Sequence, residues 1–460
     1  MEPNTPLDME SESEKILSLL ENKRYAELRR ELCTLEPIDI AEMIETLPKD
    51  KLLLIFRILP KDVAADVFVE FSPETEEILI NSVTDHEIAE MLEELYVDDA
   101  VDVIEEMPAN VVERLLKNAS PDTRKTVNEI LKYPENSAGS IMTTEYVRLS
   151  AQMTVEQALE HIRRVAIEKE TIYTCYVLEK RVLTGIVSAK DLLISPLDKK
   201  IGEIMETNWI SVSAYDDRED AAQMFARYNY LALPVVDKEN RMVGIITFDD
   251  VIDVIQEETE EDFAKMAAIT PGDEPYLKSS VWDIWKKRIP WLLLLMISAT
   301  FTGIIITSFE QALAASIALT SFIPMLMDTG GNSGSQASVT VIRGLSLGEI
   351  EFSDIFKIMW KELRISLLCG VSLACATFVK ILVFDNWIMH SNVSPLVALV
   401  VCITLCLTVI CAKLIGCTLP VLAKKIKLDP AVMASPFITT LVDAISLLIY
   451  FKIAQMLLKI

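Results

Sequence analysis

The 460 residues suffice for about three domains, and 43 Lys and Arg stand against 69 Asp and Glu, so the net charge is −26. The charge is unevenly spread, because residues 281–460 hold 14 basic and 10 acidic residues, which leaves 29 basic and 59 acidic residues, a net charge of −30, in 1–280. A surface this negative repels phosphate backbones and attracts cations, which excludes nucleic acid as a partner. Eight cysteines without a C-x-x-C pair and three distant histidines argue against a disulfide framework and an imidazole metal site.

Residues 1–133 begin with a polar, acidic stretch that predicts no signal peptide. Prolines then recur at intervals of 11 to 13 residues, and acidic residues fall near the positions where the series is interrupted. Because proline is tolerated in the first turn of a helix and breaks its interior, the pattern predicts short helices that stack into a solenoid. An irregular helical bundle is the alternative. The spaced residues are Pro37, Pro48, Pro60, Pro73, Asp85, Asp98, Pro108 and Pro121.

Residues 137–258 contain an internal duplication. The segment 139–142 (Gly-Ser-Ile-Met) recurs at 202–205 (Gly-Glu-Ile-Met), and 185–191 recurs at 244–250, with offsets of 63 and 59. An amphipathic helix, a strand and a turn lie between these anchors in each copy. The pattern resembles a tandem cystathionine-β-synthase (CBS) module, with copies at 137–199 and 200–258.

A Ser/Thr-x-x-Asp motif follows the last strand of each copy, as Ser188/Asp191 and Thr247/Asp250. In CBS modules this motif often binds an adenosine ribose, because the carboxylate accepts both ribose hydroxyls while the hydroxyl caps the helix. A simple helix cap without a ligand is the alternative. Tyr173 is placed either to stack on a purine or to join the core.

Two dense acidic runs favour cation sensing over nucleotide binding alone. One lies in the helical region (93–106), and the other follows the second CBS copy (249–262) with eight carboxylates in 14 residues. Mg²⁺ prefers hard oxygen ligands and retains waters, so two acidic faces from different domains could share hydrated ions. Acidic runs are also commonly just solvated faces.

Five apolar stretches are long enough to cross a membrane, which takes about 20 residues. Lys and Arg precede the first stretch and lie in the second-to-third and fourth-to-fifth connections, whereas the other connections carry none. This asymmetry predicts a cytoplasmic N-terminus and, after five crossings, an external C-terminus. The stretches are 289–309, 312–342, 355–384, 394–422 and 431–458.

Two features within these stretches indicate a route for ions. Asp443 is near the middle of the fifth, where a carboxylate costs about 2.5–3.5 kcal/mol and should face a pore or a partner. A cation site is favoured there over an ion pair with Lys413. In the second, Pro324 and three glycines predict a break in the helix at depth, with tight helix packing as the alternative, and Asn332 and Gln336 share one helical face.

These residues together resemble the MgtE family of magnesium channels and transporters, along essentially the whole chain. The specific marks are the Asp-Thr-Gly-Gly-Asn…Gln segment (328–336), Arg343-Gly344, and Asp429-Pro430-Ala431 followed by Thr439-Thr440-Leu441-Val442-Asp443.

The resemblance implies a homodimer with a pore at the subunit interface, Asp443 at its filter and Asp429 near its cytoplasmic end. It also implies that cytosolic Mg²⁺ bridges the N domain and the CBS pair and closes the pore through a helix around 280–288. Two departures are Asn229, where some members carry Asp, and Ser435, where some carry Asn. Regulatory carboxylates implied by the family are Asp66, Asp98, Asp102, Glu219, Asp250, Asp253, Glu258, Glu261 and Asp262, and the nucleotide site maps onto Gly139, Tyr173, Ser188 and Asp191.

We therefore predict a multidomain protein with an all-α superhelical N domain (1–133), an α/β tandem CBS pair (137–258), a linker with a plug-like amphipathic helix (259–288) and an all-α five-helix transmembrane domain (289–460). The predicted function is a Mg²⁺-selective, channel-like importer of the cell (inner) membrane, closed by cytosolic Mg²⁺, with ATP or another adenine nucleotide at the CBS pair. A broader Mn²⁺, Co²⁺ or Ni²⁺ transporter and a membrane-anchored nucleotide sensor are the alternatives. The sequence holds no Ser/His/Asp set, Walker loop or zinc signature, so no enzyme is predicted.

Overall fold

The chain divides into two compact units, Met1–Val254 and Ile255–Ile460, and each is described by itself. The computed structural model describes residues 9–272, 276–277, 279–310, 313, 317–391, 393–433 and 435–458, without the side chains of 9–11 and 435.

The first unit opens with ten short helices. Each is 8 to 13 residues long, and their buried faces form one continuous apolar core that extends into the following module. In chain order they are α1 Met9–Glu21, α2 Tyr25–Leu32, α3 Pro37–Glu45, α4 Lys49–Phe56, α5 Lys61–Phe68, α6 Pro73–Ser82, α7 Asp85–Glu94, α8 Val97–Glu106, α9 Ala109–Asn118 and α10 Pro121–Ile130.

The helix starts confirm the prediction from the proline spacing. Pro37, Pro73 and Pro121 occupy the first turns of their helices, and three further helices begin directly after a proline. Where proline is missing, α7 starts at Asp85 behind a Thr84 capping box. Because α3 packs on α5, α5 on α7 and α7 on α9, alternate helices stack into the predicted superhelix.

Two copies of one α/β module follow, as the duplication predicts. Each copy has a three-stranded sheet in which the first strand pairs parallel with the second and the second antiparallel with the third. The copies are β1 Tyr146–Leu149, α11 Val155–Val165, β2 Thr171–Glu179, β3 Val182–Ser188 and α12 Ala189–Ile194, then α13 Ile201–Ile204, β4 Val212–Ser213, α14 Arg218–Tyr228, β5 Ala232–Val236, β6 Met242–Thr247 and α15 Phe248–Met266.

The second unit contains the long apolar helices. Among the described residues, four helical segments are long and apolar enough to cross a membrane: 281–308, 352–388, 395–425 and 430–458. The predicted second span corresponds to a further helix, whose small polar residues lower its hydropathy. The helices are α16 Val281–Ser308, α17 Ile323–Ser346, α18 Ile355–Lys380, extended by a π-helical segment Ile381–Ile388, α19 Pro395–Lys425 and α20 Ser435–Leu458.

The predicted break at the glycines of the second span is wrong. Helix α17 runs without interruption through Gly330, Gly331 and Gly334, and the irregular stretch lies before it, as the 3₁₀ helix Ile317–Phe322. The glycines instead bring helices together, because a Cβ on Gly330 would lie 2.7 Å from the Thr408 methyl on α19. Close packing of small residues, the alternative, is therefore the arrangement found.

The tightest of these approaches is the crossing of α17 and α19. A Cβ on Gly416 would lie 2.2 Å from the carbonyl oxygen of Gly334. We expect Gly416→Ala to lower the free energy of unfolding by about 1–3 kcal/mol, because backbone cannot move aside as a flexible side chain does. Thermal unfolding of the full chain in detergent measures this. Gly303→Ala on α16, whose Cβ meets no atom within 4 Å, is the matched control and should be neutral or stabilising.

Candidate metal centres

An acidic cluster lies between the helical array and the CBS pair within the first unit. Helix α8 supplies carboxylates in its first two turns, the strands β1 and β2 are each preceded by a glutamate, and α15 supplies two aspartates in its first turn. We call this set the α8–α15 cluster: Asp98, Asp99, Asp102, Glu145, Glu170, Asp249 and Asp250.

The pKa values of this cluster show how strongly its members act on one another. Burial and the charge of Asp250 raise the pKa of Asp98 well above its usual range, and the Asp98 residue is only 6% exposed. Burial and Asp250 likewise raise the pKa of Asp99 to about 6. Asp102 is exposed as a whole residue, yet burial of its carboxyl and the charge of Asp250 raise its pKa to about 8.

The CBS side of the cluster responds in the same way. Burial and the charge of Asp249 raise the pKa of Glu170 to about 8. Burial raises the pKa of Asp250 to about 6, although the Thr247 hydroxyl bonds its carboxylate at 2.5 Å and opposes the rise. These shifts mean that the ionised cluster is unfavourable without a counter-charge.

Several carboxyl oxygens of the cluster are buried without a hydrogen-bond partner: Asp98 Oδ1, Glu145 Oε2 and Glu170 Oε2. In the described part of the chain, no Lys or Arg forms an ion pair with Asp98, Asp99 or Asp250. Oxygen donors without a protein cation fit a hard divalent ion such as Mg²⁺. Within the same residues, no three His, Cys, Asp or Glu side chains approach closely enough to ligate one ion, so an ion there would keep part of its water shell.

The predicted regulatory residues of this region are partly gathered here. Asp98, Asp102 and Asp250 belong to the α8–α15 cluster. Asp66 lies beside it, because its charge adds to the rise in the pKa of Asp99, a rise caused mainly by burial and by Asp250. Asp253 faces Glu70, whose pKa is raised by burial and by Asp253.

Sequence reasoning missed other members of the region. Glu145 and Glu170 lie outside the two acidic runs. The parallel pairing of β1 with β2 brings them together, with the Glu170 N–H donating to the Glu145 carbonyl at 3.0 Å. Asp99 and Asp249 belong to the two acidic runs that the sequence analysis proposed to share ions, although neither was singled out as a site residue.

A second acidic group lies in the other unit, where the end of α15 meets the segment before α20. We call Glu261, Asp262 and Asp429 the α15–α20 group. A lysine, Lys265, lies among them, with its Nζ 2.5 Å from Asp429 Oδ2 and a second ion pair to Glu261. Asp262 accepts a hydrogen bond from the Ser346 hydroxyl at 3.1 Å.

Asp443 on α20 is half-buried, and its Oδ1 has no hydrogen-bond partner. The charged neighbour that acts on it is Asp328 on α17. Asp328 in turn accepts a hydrogen bond from Asn332 at 3.1 Å, and both lie with Gln336 on one exposed stripe of α17. A carboxylate within α20 therefore lies close enough to the polar stripe of α17 for Asp328 to act on it.

The alternative ion pair for Asp443 is not found. Lys413 is buried, with 6% of the residue exposed, and its ammonium lies 3.9 Å from Glu362 Oε2 on α18. Lys413, the base that the sequence analysis considered for an ion pair with Asp443, is therefore paired elsewhere.

The predicted nucleotide residues of the first CBS copy differ in exposure and in their contacts. Tyr173 is 67% exposed on β2, so it does not belong to the core. The Ser188 hydroxyl and the Asp191 carboxylate form a reciprocal cap on α12, with 2.5 Å between their oxygens. Gly139 lies against Tyr133, where a Cβ would be 2.6 Å from the ring.

The remaining predicted positions lie outside both acidic groups as defined here. Glu219 lies in the first turn of α14, where it accepts a hydrogen bond from Gln223 at 3.3 Å, and Glu258 is half-buried on α15. Asn229 caps the end of α14 with a positive φ of 54°, a conformation that Asn tolerates well. The side chain of Ser435 lies outside the described residues.

Comparison with known proteins agrees with this layout. A family profile described as "Divalent cation transporter" (MgtE) matches residues 323–453, the MgtE intracellular N domain matches 35–136, and CBS domains match 138–197 and 201–257. The magnesium transporter MgtE of Thermus thermophilus is 36% identical over 94% of this chain and 95% of its own length. The chain belongs to the MgtE family.

Other relatives extend the agreement. The magnesium transporter MgtE of Bacillus subtilis is 34% identical over 96% of both chains. Among solved structures, the soluble part of a magnesium transporter matches with a TM-score of 0.52 and 31% identity, over 55% of this chain and 99% of the other. The cytosolic domain of the Mg²⁺ channel MgtE in complex with ATP matches with a TM-score of 0.51 and 35% identity, over 53% and 99%.

Proposed function

We propose that this MgtE-family chain carries Mg²⁺ across the cell membrane and that Asp443 binds the ion on its way. The observation that carries the proposal is the unpartnered Asp443 oxygen facing the polar stripe of α17. An ionisable residue at mid-membrane is costly and is retained where it serves an ion path. The two curated relatives named as magnesium transporters support the choice of ion.

A homodimer completes the path in this proposal. The stripe of α17 formed by Asp328, Asn332 and Gln336 is exposed in the single chain, whereas the opposite face of α17 packs on α19 and α20. Polar residues on a lipid-facing surface would be unfavourable, and a second copy would enclose them. The Lys and Arg distribution supports a cytoplasmic N-terminus and an external C-terminus.

Cytosolic Mg²⁺ closes the path through the α8–α15 cluster in this proposal. Without ions, the ionised carboxylates of α8 and α15 repel one another and favour separation of the helical array from the CBS pair. With ions bound, the same carboxylates hold the two together. The raised pKa values of Asp98, Asp99 and Asp250 support this, because burial and the neighbouring carboxylates disfavour the negative charge that a cation would neutralise.

We also propose that ATP or another adenine nucleotide binds the first CBS copy, with Tyr173 stacking on the base, Asp191 and Ser188 at the ribose and Gly139 allowing close approach of the backbone. The exposed Tyr173 ring and the solved relative in complex with ATP support this. The second copy is a weaker candidate, because Thr247 is 5% exposed and Asp250 belongs to the acidic cluster.

A broader divalent cation transporter is the second candidate function, since the matched family profile is described only as a divalent cation transporter. Oxygen donors at Asp443 and Asp328 favour Mg²⁺ over softer ions. Competition of Mn²⁺, Co²⁺ and Ni²⁺ with Mg²⁺ uptake distinguishes the two candidates.

For the transport path, we expect Asp443→Asn to reduce Mg²⁺ uptake into proteoliposomes to the level of protein-free vesicles, because an amide offers the ion no charge at mid-membrane. Glu349→Gln, which removes an exposed carboxylate after α17, is the matched control and should retain wild-type uptake. Full uptake by a correctly folded Asp443→Asn protein would overturn the assignment of Asp443.

For the gate, we expect the double substitution Asp98→Asn and Asp250→Asn to flatten the response of uptake to Mg²⁺ on the cytosolic side. The ratio of uptake at low and high Mg²⁺ should fall by about tenfold, since one site filled at ten times its dissociation constant stabilises the bound arrangement by about 1.4 kcal/mol. Asp122→Asn, at an exposed position on α10, serves as the control. An unchanged response in the double variant would contradict gating through this cluster.

A further inference from the structure

Lys265 occupies the centre of the α15–α20 group. Its side chain is 21% exposed, and those of its partners Glu261 and Asp429 are 32% and 31% exposed. The ammonium pairs with both carboxylates, and the second oxygen of Asp429 accepts the Ala431 N–H at 2.7 Å. The lysine therefore joins the last turns of α15 to a segment whose carboxylate is already held in place.

Apolar and polar contacts surround this ion pair. Met266, the next residue of α15, packs on Ile342 and Ala431, which are 1% and 0% exposed. Asp262 receives the Ser346 hydroxyl from the end of α17. The ion pair is thus one part of a contact that joins α15 to two separate parts of the second unit.

The charge states fit a closed arrangement of this contact. Burial lowers the pKa of Lys265, but its hydrogen bonds to Asp429 and Glu261 outweigh that effect and raise the pKa above its usual value. Burial, with the charge of Asp429 added, raises the pKa of Asp262. Through its two ion pairs, the Lys265 ammonium places a positive charge among the carboxylates of the α15–α20 group.

We propose that Lys265 acts as a built-in cation that holds the end of α15 on the segment before α20 in the absence of Mg²⁺. Its ammonium neutralises Glu261, a regulatory carboxylate by the family resemblance, and Asp429, which the resemblance places near the cytoplasmic end of the pore. Lys265 is a positioning residue: it sets how much of the closing contact exists before any ion binds. Its effect on transport rests on the proposed gate, whereas its effect on the contact does not.

Hydrogen–deuterium exchange of the full chain in detergent with EDTA tests the contact directly. In Lys265→Met, which keeps the length of the side chain and removes its charge, exchange of peptides covering 255–266 and 426–433 should rise about fivefold. Millimolar Mg²⁺ should restore the protection, because the two freed carboxylates of Glu261 and Asp429 then bind a hydrated divalent ion. Wild-type protection in Lys265→Met with EDTA would overturn the proposal.

Two further variants separate charge from packing. Lys357→Met is the matched control. It removes a lysine whose Nζ lies 2.7 Å from Asp354 Oδ1 at the exposed start of α18, and it should leave the exchange of both peptides unchanged. Lys265→Arg retains the charge and should stay close to wild type. Equal loss of protection in Lys265→Arg and Lys265→Met would mean that packing rather than charge holds the contact, and would also overturn the proposal.

Uptake measurements link the contact to transport. In proteoliposomes, Lys265→Met should need several times more cytosolic-side Mg²⁺ for half-inhibition than the wild type. If the wild type itself shows no inhibition by Mg²⁺, the proposed gate fails while the exchange result still decides the role of Lys265. If the wild type is inhibited and Lys265→Met responds identically, the link between Lys265 and the gate is wrong.

Discussion

The first unit depends on a group of carboxylates in which, among the described residues, Asp98, Asp99 and Asp250 form no ion pair with a Lys or Arg. Asp98 is nearly buried, its Oδ1 lacks a hydrogen-bond partner, and Asp250 lies close enough to raise its pKa. Such a group is stable only if it is protonated, separated or bound to a cation. In the function proposed above, binding of a cation is the solution that holds the helical array on the CBS pair.

A carboxylate without a protein partner also occurs among the apolar helices of the second unit. Asp443 has one oxygen without a partner, and Lys413, the base considered as its partner, is paired with Glu362. Around it the helices approach so closely that several glycines of α17 could not carry a Cβ. The close packing fixes the helix that carries the polar stripe of Asp328, Asn332 and Gln336. In the α15–α20 group the positive charge comes from the chain itself, because Lys265 pairs with Glu261 and Asp429.

Much of this architecture could be predicted from local signals. Prolines mark helix starts because their geometry suits the first turn, and the duplicated motifs reveal the CBS pair because both copies must build the same sheet. The acidic runs indicated the cluster through Asp98 and Asp250. Glu145 and Glu170 could not be predicted, since only the pairing of β1 and β2 brings them together.

The glycines of α17 were misread because small residues occur both at broken helices and at tight helix crossings, and only the position of the neighbouring helix distinguishes the two. The sequence analysis assigned Asp429 to an ion. Its ion pair with Lys265 could not be predicted, because the two residues are more than 160 positions apart in the sequence.

The most direct test of the central claim is the release of protons when Mg²⁺ is added to the metal-free chain in weak buffer. With pKa values raised to about 8, Asp102 and Glu170 are largely protonated at pH 7, and a cation that binds their ionised forms must displace those protons. The account predicts a release of about one to two protons per chain at pH 7, little release at pH 9.5, where the groups are already ionised, and tighter Mg²⁺ binding as the pH rises between the two. Mg²⁺ binding at pH 7 without proton release, or an equal release at both pH values, would contradict it.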